Sequence, residues 1–108
     1  MIRRLGTGLV LATLLSFSAP ALAGIQDFTI RNNGKFAIWY IFVSPTTSDE
    51  WEEDILGEDV MPANSELNVE MTGYDNQCMF DIKIIDEREN VREYYDVDLC
   101  TVLYVDFP

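Results

Sequence analysis

The sequence predicts an all-β fold: a small antiparallel β-sandwich or barrel of about six strands, with one short helix and one disulfide. Three observations carry this. Six short runs rich in β-branched and aromatic residues recur about every ten residues, with turn residues between them. Helical periodicity is confined to a single segment. Cysteine occurs only as Cys78 and Cys100, an even pair without C-x-x-C spacing.

The elements follow in order. Residues 1–23 read as a secretory signal peptide. Arg3 and Arg4 give the positive start, residues 9–17 the apolar stretch, and Ala21-Leu22-Ala23 the small-x-small cleavage pattern after Pro20. The apolar stretch is too short to span a bilayer. No cysteine follows Ala23, so the pattern is not that of a lipoprotein, and the residues after Arg4 fit ordinary Sec export better than the twin-arginine route. The expected product is one domain, residues 24–108, in the periplasm or outside the cell, with no membrane insertion after cleavage. An oxidising compartment makes Cys78–Cys100 a disulfide. Closing a loop of that length is worth about 3 kcal/mol in the chain-entropy account.

The predicted strands are residues 25–31, 36–43, 67–72, 78–85, 91–97 and 101–107. Asn32-Asn33-Gly34-Lys35 between the first two is a strong turn signal. Residues 36–43 are apolar throughout, as in a strand covered on both faces. The third run places Leu67, Val69 and Met71 on one face. The fourth does the same with Cys78, Phe80, Ile82 and Ile84, and turns Asp81 and Lys83 away. The remaining turns are expected at 62–65, 73–76 and 86–90.

The helix is predicted over 46–57. Thr47 and Glu50 match a capping box, and the acids of the first turn suit the helix dipole. Trp51 and Ile55 share a face at i, i+4, and Gly57 ends the segment. The expectation is about two turns lying over the sandwich or closing one end of it, with Trp51, Ile55 and Leu56 buried.

Several of these segments together resemble a family of small exported bacterial β-domains of unknown function. They are Phe28-Thr29-Ile30-Arg31-Asn32-Asn33-Gly34, Tyr40-Ile41-Phe42-Val43-Ser44-Pro45, Asp49-Glu50-Trp51, Asp54-Ile55-Leu56-Gly57, Cys78-Met79-Phe80-Asp81-Ile82 and Val97-Asp98-Leu99-Cys100. The resemblance covers nearly all of residues 24–108 and supplies no site residues. Pro62-Ala63-Asn64 stands where that family has a Pro-Gly turn, and 86–90 lacks its usual glycine. Some chains of that kind carry the label argininosuccinate lyase. That activity belongs to a large helical tetramer, which a short chain of strands does not match.

Charge narrows the chemistry. The 108 residues hold 7 Lys+Arg against 19 Asp+Glu, a net charge of −12. Loss of Arg3 and Arg4 with the leader leaves 5 against 19 in 85 residues, a net of −14. Such a chain cannot neutralise phosphates, so nucleic acid is excluded as a partner. A basic protein, a polyamine or a divalent cation is the natural one. The absence of histidine removes Ser-His-Asp and Cys-His catalysis and His-ligated zinc. Ser44, Ser48 and Ser65 have no activating base in the sequence pattern. The reading is therefore of a protein without enzymatic activity.

The sharpest feature is an acidic block over 49–59: Asp49, Glu50, Glu52, Glu53, Asp54, Glu58 and Asp59. It reads as a solvated helix start, as a docking surface for a basic partner, or as a source of oxygen ligands for calcium, although EF-hand spacing is absent. Trp51 within it is a candidate interface anchor. Trp39, Tyr40 and Phe42 are core residues of a covered strand or an exposed aromatic face. Tyr94, Tyr95 and Tyr104, with Arg88 and Arg92 nearby, form a second aromatic group. The leading expectation is a non-catalytic exported binding module that uses the acidic surface. The alternatives are a calcium-binding structural module and a small periplasmic inhibitor or immunity-type protein. No cofactor is expected beyond that candidate Ca2+.

Overall fold

The structure is a computed structural model and describes residues 24–108. The predicted leader lies outside the described residues. Six strands form among the described residues: β1 (Phe28–Asn32), β2 (Ile38–Pro45), β3 (Ser65–Val69), β4 (Met79–Asp86), β5 (Val91–Asp98) and β6 (Tyr104–Phe107). They make two three-stranded sheets, ordered β3-β1-β6 and β2-β4-β5.

Alternation sets which side chains each sheet turns inward. Phe28 and Ile30 of β1, Val69 of β3 and Val105 and Phe107 of β6 are buried from one sheet. Ile41 and Val43 of β2 and Phe80, Ile82 and Ile84 of β4 are buried from the other. All belong to one core cluster, which Ile38, Leu99, Met61 and Met71 complete. Full burial of each such side chain contributes about 1.5–3 kcal/mol. The core therefore outweighs the disulfide several-fold. Cys78 and Cys100 are bonded as expected, 22 residues apart. The bond ties the lead-in of β4 to the connection between β5 and β6.

Two expectations are corrected. The sheets are mainly antiparallel, but β1 and β6 run parallel, with Ile30 opposite Val105 and Asn32 opposite Phe107. The chain does bend just after Asn32, near the expected turn, and there it passes from one sheet to the other. The buried Asn32 side chain turns this corner. Its Oδ1 accepts from Gly34 N at 3.0 Å, and its Nδ2 donates to Phe36 O at 2.9 Å and Pro62 O at 3.1 Å.

The second correction concerns the acidic block. No helix forms over 46–57; the segment turns at Thr46–Thr47, bends at Asp49–Glu50, runs without regular structure to a single bridge at Asp54 and turns again around Gly57, whose φ is +61°. Its N–H groups are taken up by β2 and by its own side chains, not by carbonyls four residues back. Glu52 N donates to Ser44 Oγ at 2.7 Å. Ile55 N donates to Ile41 O at 2.8 Å. Asp54 Oδ1 accepts from Ile41 N at 2.8 Å and from Leu56 N at 3.1 Å. Like charges at i, i+4, Asp49/Glu53 and Glu50/Asp54, also oppose a helix too short to repay its own nucleation. The capping box is replaced by a local turn in which Ser48 Oγ donates to Glu50 O at 2.7 Å.

The block is thus a strap along the outer edge of β2. Met61 extends the cover by exchanging backbone hydrogen bonds of 2.8 and 2.9 Å with Ile38. A bare strand edge is a template for unwanted pairing, and the strap removes most of this one.

Candidate functional site

The strap leaves the outer face of the β2-β4-β5 sheet partly open. Cross-strand neighbours share a face, so the register defines what is displayed there. Tyr40 lies opposite Ile85, Phe42 opposite Lys83 and Ser44 opposite Asp81. Lys83 in turn lies opposite Glu93 of β5, with Nζ 3.8 Å from its carboxylate. The β4–β5 register shifts beyond Ile82, where Asp96 adopts a φ of +56° and its N–H donates to Asp81 Oδ1 at 3.0 Å. Thr46 Oγ1 donates to the same oxygen at 2.9 Å.

Trp51 reaches from the strap onto this face. Its ring centroid is 6.5 Å from that of Phe42 and 6.4 Å from that of Tyr95. Tyr40 stacks on Phe42 at 6.3 Å. Four rings from β2, the strap and β5 therefore form one row. It is open to solvent at both ends, with Tyr40 43% and Tyr95 59% exposed. Lys83 Nζ lies 6.0 Å from the Trp51 ring centroid, so the row already holds one ammonium at cation–π range.

Carboxylates border the row. Asp49, Glu50 and Asp81 line a shallow cleft of about 250 Å³ together with Trp51 and Tyr95. Tyr95 donates its hydroxyl to Glu93 Oε1 at 2.7 Å, and that bond raises the phenol pKa. The cleft thus pairs π-faces with negative charge, the combination that attracts Lys and Arg heads. Its two serines, Ser44 and Ser48, hold the strap's backbone through the hydrogen bonds described above.

The other acids of the block go elsewhere. Glu52 Oε1 accepts the Tyr74 hydroxyl at 2.7 Å, and this bond leads burial and nearby charge in pushing the Tyr74 pKa up to about 12. Glu53 lines a separate hollow with Val43, Ile55 and Tyr74. Asp54 holds the β2 edge. Glu58 and Asp59 are exposed around the Gly57 turn. No three of the seven come within shared metal-ligand distance among the described residues. The group that does, Cys78, Asp98 and Cys100, has both its sulfurs committed to the disulfide.

The expected burial of Trp51, Ile55 and Leu56 on one face also fails. Trp51 is half-buried on the outer face, Ile55 is exposed, and only Leu56 packs against the core. Sequence reasoning missed Asp81 and Lys83 as site residues. Their alternation away from the core was visible, but the strand pairing that sets them beside Trp51 was not.

No family model, curated protein or solved structure matches the chain. No helix of the described residues is long and apolar enough to cross a membrane. The disulfide is consistent with an oxidising, exported compartment.

Proposed function

We propose that this protein is a non-catalytic, exported binding module that docks a basic protein on the outer face of the β2-β4-β5 sheet. The observation that carries the reading is the row Tyr40–Phe42–Trp51–Tyr95 bordered by Asp49, Glu50 and Asp81. Aromatic residues are enriched at interface hot spots, where they supply area and geometry. The carboxylates supply attraction at range and select against acidic partners. The net charge of −14 over residues 24–108 adds long-range steering toward a basic surface. The dispersal of the acids along the strap favours this reading over a calcium module, which needs six to eight converging oxygens.

The test is isothermal titration of the purified, disulfide-bonded protein with a synthetic peptide of alternating arginine and glycine. Saturable binding is expected, weakening steeply with salt as the Debye length shortens from about 10 Å at 0.1 M. It should weaken further in the double substitution Asp49→Asn/Asp81→Asn. Binding that ignores both salt and this substitution overturns the proposal.

A further inference from the structure

Residues 24–108 contain five cations: Arg31, Lys35, Lys83, Arg88 and Arg92. Two are paired. Arg31 Nε lies 2.6 Å from Asp106, and Lys83 lies 3.8 Å from Glu93. The other three form no ion pair among the described residues, although 19 carboxylates are present. They gather at one end of the molecule. Lys35 and Arg92 line a cleft of about 580 Å³ together with Phe36, Val91, Phe107 and Pro108. Arg88 stacks over the Phe36 ring, 4.9 Å from its centroid. Ligand sites are commonly concave, mostly apolar, a few hundred cubic ångströms in volume, and marked by a few convergent polar groups.

We infer that this cleft binds a small organic carboxylate with an apolar or aromatic body. The apolar part would lie on Phe36 and Val91, the latter 52% exposed. The carboxylate would take charge-assisted hydrogen bonds from Lys35 and Arg92.

Asp86 also lines the cleft, but its oxygens are turned to backbone and amide donors, and none of the nearby acids forms an ion pair with Lys35, Arg88 or Arg92. Asp86 is buried. Its Oδ1 accepts from Arg88 N and Asn90 N, each at 2.9 Å, and its Oδ2 accepts from Asn90 Nδ2 at 3.0 Å. Glu87 Oε2 accepts from Ala37 N at 2.8 Å. Both oxygens of Asp106 accept from Arg31. Glu89 is exposed on the turn between β4 and β5. The Tyr94 hydroxyl donates to Asp106 O at 2.6 Å and joins the two sheets. The cleft shares no lining residue with the carboxylate-bordered cleft at Trp51, so neither assignment depends on the other.

The experiment is amide chemical-shift titration of the disulfide-bonded protein with 3-phenylpropanoate and with its neutral amide. The acid should give saturable shifts confined to residues 33–36 and 88–92. The amide should bind at least about tenfold more weakly, as should the acid to Lys35→Gln/Arg92→Gln, the change expected from losing a charge-assisted contact. Unchanged shifts at Phe80, Ile82 and Ile84 establish that this variant is folded. The inference is overturned if acid and amide bind alike, if the shifts centre on Trp51 and Tyr95, or if no saturable shift appears by about 10 mM ligand.

Discussion

Asp54 Oδ1 accepts the backbone N–H of Ile41 at 2.8 Å, so a side chain of the acidic strap takes the place of a strand partner on the edge of β2. The same oxygen accepts from Leu56 N, which turns the strap back toward Gly57. Asp54→Ala should cost about 1–3 kcal/mol, because two part-buried N–H groups lose their acceptor. Asp54→Asn keeps an oxygen there and should recover most of the loss. Denaturant melts, with hydrogen exchange at Ile41, check this. Equal stability of the alanine variant and the parent would contradict it.

The first described residue makes a comparable contact. Gly24 N donates to Asp27 Oδ2 at 2.8 Å, while Asp27 Oδ1 accepts from Met71 N at 2.8 Å. A Cβ on residue 24 would come 2.9 Å from the Met71 carbonyl oxygen, so glycine is required by the close approach. Cleavage after Ala23 would turn the Gly24 amide into an ammonium facing this carboxylate. The cleaved protein should then exceed the same protein acetylated at Gly24 by about 0.5–1 kcal/mol. Asp27→Asn should abolish that difference. Thermal melts of the four forms decide it, and an acetylated form as stable as the free amine would contradict the contact.

Acid stability should depend on Asp86. Burial works to raise its pKa, but the hydrogen bonds from Asn90 and Arg88 and the Arg88 charge outweigh it and hold the pKa below the ordinary carboxylate value. A carboxylate depressed in the folded state stabilises above its unfolded pKa, about 3.9, and loses that contribution as pH falls through the folded value. Asp86→Asn should therefore lower stability at pH 7 and flatten its decline below about pH 4. Denaturant midpoints across pH 2–7 test this. A variant whose decline parallels the parent's would contradict it.

Much of the fold was legible because alternation and burial are local properties. Phe80, Ile82 and Ile84 against Asp81 and Lys83 read directly as one strand with two faces. The cysteine pair and most turns read as easily. What did not read was pairing. Asn32-Asn33-Gly34 reads as a turn, but not as a corner between sheets that Asn32 holds through bonds to Phe36 and Pro62, the latter thirty residues away. The acidic block carries helix signals at both ends, yet its backbone donors find better partners on β2. Local pattern favoured the helix, and a tertiary edge needing cover decided against it. The candidate site shared that fate. Trp51 and the acids at Asp49 and Glu50 were visible in the sequence, whereas Asp81, Lys83 and Tyr95 join them only through the β2-β4-β5 register.

The most direct measurement compares Trp51→Ala with Ile55→Ala in binding to the arginine–glycine peptide at fixed salt. Both substitutions fall in the same acidic strap and leave the net charge unchanged. If the row of rings is the docking surface, Trp51→Ala weakens binding about tenfold, the scale of a lost cation–π anchor, and Ile55→Ala leaves it unchanged. If charge alone attracts the peptide, both variants bind as the parent does, and the assignment of this face is contradicted.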